Sequence, residues 1–256
     1  MINHARPHYR LRWLKFISLA SVALLLSGCV YLRLLETKNQ IADFDHNFRV
    51  DTGNHFTVHF LRPTLLSDDF TNLSGIEPTT HQVQETSQSN IYTFQKIDVN
   101  DNVVDAPAGN LIFKLTFDEH DRLTSWDFSP AFLIMAPAAF LEASIRSLGS
   151  ATIDQGKHRV SADSDSLDKV AAQLPPRSSI VAALGEPVEI AHRQNSLRYI
   201  YRFRLDGRAV DESHEKNRYA EAKLDFDKQT DRLQKMSSRF AGLKIAINYR
   251  RLAQAE

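Results

Sequence analysis

The chain has 256 residues, 43% of them hydrophobic and 24% charged, and its 31 basic and 31 acidic side chains cancel to a formal charge of zero. Such neutrality argues against nucleic acid as a partner, because a phosphate backbone calls for a surplus of cations. The single cysteine excludes an intramolecular disulfide, so stability must come from an apolar core, and a chain of this size buries about 70% of its unfolded surface.

In chain order the first feature is a leader. Arg6, Arg10, Arg12 and Lys15 precede an apolar run from Phe16 to Leu26. About 11 residues is too short for a membrane-spanning helix, which takes roughly 20, but it suits the apolar region of a signal peptide. Leu26-Ser27-Gly28-Cys29 follows, and the arrangement resembles a bacterial lipoprotein signal with its lipobox. The resemblance implies cleavage between Gly28 and Cys29, a diacylglycerol on the Cys29 thiol and a further acyl chain of the palmitate class on the new amino terminus. Several chains make a firm anchor, each buried methylene adding about 0.8 kcal/mol. An uncleaved signal anchor is the alternative. Val30 rather than Asp follows the cysteine, which by resemblance to enterobacterial sorting implies an outer-membrane protein facing the periplasm. Removing residues 1–28 takes away four bases and no acid, leaving 27 bases against 31 acids, a formal charge of −4.

Residues 29–54 then read as the lipidated N-terminus and a stalk that begins apolar at Val30-Tyr31-Leu32 and turns polar. Beyond it the chain coincides with itself at an offset of about 109 residues. Glu77-Pro78 matches Glu186-Pro187, Tyr92 and Phe94 match Tyr201 and Phe203, Lys114-Leu115 and Phe117-Asp118 match Lys223-Leu224 and Phe226-Asp227. One inserted residue later Asp121-Arg122-Leu123 matches Asp231-Arg232-Leu233. Each copy starts with a short apolar helix, Leu65 to Leu73 or Ser178 to Leu184, stopped by Gly and Pro. A strand follows, clearest where Tyr199, Tyr201, Phe203 and Leu205 alternate with Arg198, Ile200, Arg202 and Arg204. A second alternating strand (Leu111 to Phe117, or Leu224-Phe226) leads through an Asp-rich turn to a third strand beginning at Leu123 or Leu233. The expected fold is therefore α+β, two tandem repeats of helix followed by a three-stranded antiparallel sheet. Repeat one covers 55–149 and includes a C-terminal apolar helix over Phe132 to Leu148 interrupted by Pro137, residues 150–166 form a linker, and repeat two covers 167–256 with a comparable apolar run from Phe240 to Tyr249. Both apolar runs suit elements packed on the sheets, or alternatively a helix for a membrane surface or partner.

A helix ending in Leu-Gly-Glu-Pro, then Tyr-x-Tyr-x-Phe, then Leu-x-Phe-Asp with Arg-Leu after the turn, is similar to the SmpA-type outer-membrane lipoproteins of the β-barrel assembly machinery. The tandem form also resembles the β-lactamase inhibitor proteins. The resemblance covers roughly residues 63–128 and 172–238. It implies a fold and an envelope role, and carries over no functional residue.

Chemistry is sparse. His55 and His59 would share a metal on a helix, but Phe56, Val58 and Phe60 alternate as in a strand, which separates the two rings. The paired Asp residues of the two turns lack a calcium-loop pattern and suit backbone capping. No hydrolase elbow, zinc motif or phosphate loop occurs, and no metal or cofactor is expected. Arg198, Arg202 and Arg204 share the outer face of one strand and form the candidate partner-binding surface. Residues 57–130 hold four bases and 11 acids, whereas residues 165–256 hold 17 bases and 13 acids, so one part suits an anionic partner, headgroup or polymer. Three readings follow: a non-enzymatic, lipid-anchored periplasmic binding or scaffold module in outer-membrane assembly or maintenance, working by contacts with envelope proteins; an inhibitor or ligand-binding lipoprotein; or an envelope hydrolase with an unrecognised site.

Overall fold

The computed structural model describes residues 30–53, 55–105, 109–150, 152–154, 159–161 and 169–253. Cys29, Gly28 and the leader lie outside them. A helix over residues 30–42 (α1) is followed by α2 (Phe44–Asn47), β1 (Phe48–Thr52), β2 (Phe56–Phe60), α3 (Ser67–Ser74), β3 (Thr80–Val83), β4 (Ser87–Ile97), β5 (Leu111–Asp118) and β6 (Leu123–Phe128). Then come α4 (Pro130–Met135), α5 (Ala138–Ser147), the small hairpin β7 (Thr152–Asp154) and β8 (Arg159–Ser161), and α6 (Arg177–Leu184). The chain finishes with β9 (Glu189–His192), β10 (Ser196–Leu205), a 3-10 segment (Glu212–Arg218), β11 (Tyr219–Asp227), β12 (Leu233–Phe240), β13 (Leu243–Asn248) and α7 (Tyr249–Leu252).

The expectation of two separate helix-plus-three-strand repeats is overturned. The strands form one curled, antiparallel sheet of 11 strands, ordered β1-β2-β6-β5-β4-β10-β11-β12-β13, with β3 pairing β4 and β9 pairing β10. The physical reason is the open hydrogen-bonding edge that a three-stranded unit would leave on its first long strand. That edge is closed by the other half of the molecule, since β4 pairs β10 from Phe94↔Leu205 to Ile97↔Arg202. Shifting by 109 residues turns the pair Lys96↔Phe203 into Leu205↔Phe94, and leaves Gln95↔Arg204 unchanged. The junction is therefore a local pseudo-twofold centred on Gln95 and Arg204.

Each half completes the other around this junction. The Lys96 ammonium, buried on the inner face, donates to the carbonyls of Leu184 (2.5 Å) and Glu186 (2.7 Å), closing the C-terminal end of α6. Burial pulls its pKa below the ordinary lysine value, with the Glu186 charge opposing. Reciprocally, Asn217 from the 3-10 segment donates to the Ser74 carbonyl at the end of α3 (2.7 Å). Gly75 ends that helix at φ 67°, and a Cβ there would lie 2.1 Å from the His214 ring, so glycine is required both by conformation and by space.

Further departures concern the flanks. Within the expected stalk of residues 29–54, the described residues 30–53 pack on the domain: Thr37 and Gln40 of α1 are buried, Phe44 and Phe48 enter the core, and β1 joins the sheet. Arg33 makes a two-pronged pair with the buried Asp69 of α3 (2.5 and 2.7 Å), and Asp69 also accepts from the Leu66 N–H (2.9 Å) at the helix start. The Phe240–Tyr249 run is not a helix but the turn and edge strand β13, whereas Phe132–Leu148 is helical on both sides of Pro137. Most of the expected linker, residues 150–166, lies outside the described residues, which include β7 and β8. The inner face of the sheet and α4–α7 share one core. Phe113, Phe132 and Phe240 meet there edge to face, and the Tyr249 hydroxyl donates to the Met135 carbonyl.

Candidate anion-binding groove

Strict alternation in β10–β13 sends one set of side chains into the core and the other outward. Across the outer face, register places Arg202 beside Glu221, Glu221 beside Arg239, and Arg239 beside Lys244. The last pair is set by a two-residue hairpin, Ala241 (φ 49°) and Gly242 (φ 77°), whose positive φ values fit the tight turn that matches strand twist. Three strand spacings of about 4.8 Å make this row roughly 14 Å long.

Two loops wall the row into a groove of about 530 Å³. The 3-10 segment contributes Lys216, and the Asp211 carboxylate holds its start by accepting the Ser213 N–H (2.9 Å). The β4–β5 connection contributes Asp101, held because the Asp98 carboxylate accepts the N–H groups of Asn100 (2.8 Å) and Asn102 (2.9 Å). Arg202, Tyr219, Glu221, Lys223, Arg239 and Lys244 line the rest.

Charge is unbalanced in it. Five cations face two carboxylates. Glu221 lies 2.8 Å from Lys223 and 3.4 Å from Arg202. Burial alone would raise its pKa, but Lys223 and then Arg202 hold it below the ordinary carboxylate value. Lys216, Arg239 and Lys244 are exposed and have no ion-pair partner among the described residues. A groove with uncompensated cations at one end can hold an anion there.

The three arginines expected on this surface divide into three jobs. Arg202 lines the groove. Arg204 does not line it but donates to the Asp101 carbonyl (3.3 Å), pinning one wall. Arg198 lies four residues along β10 and is consumed by a two-pronged bond to Asp225 (2.6 and 2.7 Å), which holds its pKa above the ordinary arginine value against the opposing effect of burial. Lys216, Tyr219, Arg239, Lys244 and Asp101 were not singled out on sequence. The outward alternation of Lys235, Ser237 and Arg239 was a usable signal, but the loop residues had none.

The other polar candidates are structural. Asp118 accepts N–H groups of His120 and Arg122 (both 2.9 Å), and Asp227 those of Gln229 (2.8 Å) and Thr230 (2.9 Å), so both cap tight turns. His59, on β2, bonds Asp51 across the β1–β2 pair (2.8 Å). Among the described residues no group of three or more His, Cys, Asp or Glu could hold a metal ion, and no helix is long and apolar enough to cross a membrane. Comparisons with protein families, curated proteins and solved structures match nothing.

Proposed function

We propose that this protein is a lipid-anchored protein of the bacterial outer membrane, facing the periplasm, that works as a binding module in envelope assembly or maintenance rather than by catalysing a reaction. The observation that carries the reading is the groove of β10–β13, where Lys216, Arg239 and Lys244 are left without carboxylate partners among the described residues. Its volume falls within the 300–1,000 Å³ typical of small-ligand sites, which favours ligand binding over scaffolding by protein contact alone. The lipoprotein signal supplies the anchor through Cys29. With Arg33, four residues after Cys29, bonded to Asp69 of α3, the anchor holds the domain close to the bilayer rather than on a long tether.

Two measurements test this. Cys29→Ser removes the acylated thiol, and loss of outer-membrane fractionation is expected; unchanged fractionation refutes the anchor. A photoreactive residue at Tyr219, compared with one at the first-half position Ile112, is expected to crosslink an envelope component at Tyr219 and not at Ile112. Equal capture at both, or none at Tyr219, refutes the groove as the contact surface.

A further inference from the structure

Resting on the reading of the groove as a binding site, the geometry points to a phosphorylated polyol as its ligand: a phosphate seated on Arg239, Lys244 and Lys216, with the hydroxyls reaching toward Glu221 and Asp101. The cationic end is built for an oxyanion. Arg239 and Lys244 are directly opposed across β12 and β13, which brings their Cβ atoms to about 5 Å from each other. Arginine offers a planar fork of donors and lysine a compact charge, the combination suited to phosphate oxygens. Neither cation is neutralised within the described residues, and the exposed Lys216 adds a third from the loop above.

The other end is balanced. Arg202 and Lys223 offset Glu221 and Asp101 there, so a second anion gains little, whereas a hydroxyl can donate to either carboxylate. Phosphate alone leaves those acceptors unused. A phosphate with hydroxyl-bearing carbons beside it satisfies both ends across a row of roughly 14 Å. Tyr219, 40% exposed, lines the same groove and offers a ring edge to the carbon skeleton. Two sources carry this chemistry, a soluble sugar phosphate and the glycerophosphate headgroup of an anionic lipid.

The test is calorimetric titration of the full-length protein in detergent with glucose 6-phosphate, glucose, inorganic phosphate and short-chain phosphatidylglycerol below its micellar concentration. Binding of at least one phosphorylated polyol is expected to exceed that of glucose and of inorganic phosphate. It should weaken by at least about tenfold in Arg239→Gln/Lys244→Gln, the worth of one charge-assisted hydrogen bond. Lys114→Gln, the first-half equivalent of the Lys223 position, should change nothing, and salt near 0.5 M should weaken binding. Tighter binding of phosphatidylglycerol assigns the lipid source, and tighter binding of glucose 6-phosphate the soluble one; both outcomes support the site. Glucose binding as well as its phosphate, or phosphate binding untouched by the double variant, overturns it. Crosslinking at Tyr219 with no affinity for any phosphorylated compound overturns the ligand class while leaving the binding-module reading intact.

Discussion

The two halves of the sheet have corresponding backbones and different outer faces. In the first half the outward row across β4, β5 and β6 is Ser89, Thr116 and Ser125, three hydroxyls with only a 3.4 Å contact between the first two. The corresponding row in the second half is Arg198, Asp225 and Lys235, tied by a two-pronged ion pair. Four residues along, Thr93 and Ile112 occupy the positions of Arg202 and Glu221. Several inward positions keep their aromatic: Phe117 and Phe226, Phe94 and Phe203 are all at most 1% exposed, although Leu111 and Lys96 correspond to Ala220 and Leu205, all buried. Close packing resists change inside, while an outer face tolerates it at little cost in stability, and the groove lies on the half whose outer face carries the cations.

The comparison can be broken most forcefully in the core. Phe226→Ala and Phe117→Ala should each cost about 3–5 kcal/mol, and each should lower a single cooperative transition in chemical denaturation. Two separate transitions, one moved by each variant, would show that the halves are independent units after all. Next come the crossed caps. Lys96→Met leaves the carbonyls of Leu184 and Glu186 without their donor and should cost about 1–3 kcal/mol, although the residue lies in the half that does not own the helix. A neutral outcome would mean that α6 holds itself. Gly75→Ala forces a Cβ into the left-handed region and against His214, for about 1–2 kcal/mol from backbone conformation; His214→Ala should restore part of the loss but not the conformational component.

The smallest effect is in acid. Thr230 and then Gln229 N–H groups hold Asp227 below the ordinary carboxylate value of 3.8. For Asp118 burial works upward, but the N–H groups of Arg122 and His120 and the Arg122 side chain bring it below the same value. A depressed carboxylate stabilises the fold above its unfolded pKa and loses that contribution as pH falls through the folded value. Melting temperature should therefore drop below about pH 4, and Asp118→Asn or Asp227→Asn should each flatten that dependence. A flattening by only one of them would separate the two turns.

Much of the local structure was legible in the sequence. The alternation of Tyr199, Tyr201, Phe203 and Leu205 marks a strand and its inner face, and Leu184-Gly185 marks a helix stop. The Asp residues mark both turns, and they adopt left-handed φ at Asp121 (62°) and Asp231 (56°). The packing of α1 was not legible, because it exposes Tyr31 and Leu32 while burying Thr37 and Gln40, the reverse of what side-chain polarity suggests. Of the groove, sequence supplied Arg202 and the charge imbalance; Lys216 and Asp101 belong to loops that only folding brings to that strand.

By itself, then, the sequence determined the central strands β4, β5, β10 and β11, which of their sides meets the core, and where their turns fall, since these follow from a period of two and from local turn chemistry; it left β1 and β13 unmarked. It also set the asymmetry of charge. Tertiary structure decided which strands are neighbours. Pairing is made by backbone N–H and C=O groups that are the same at every residue, so no side-chain pattern announces that β4 meets β10. That meeting fuses the halves into one sheet, exchanges their helix caps, and holds Asp101 of the first half against the cationic row of the second.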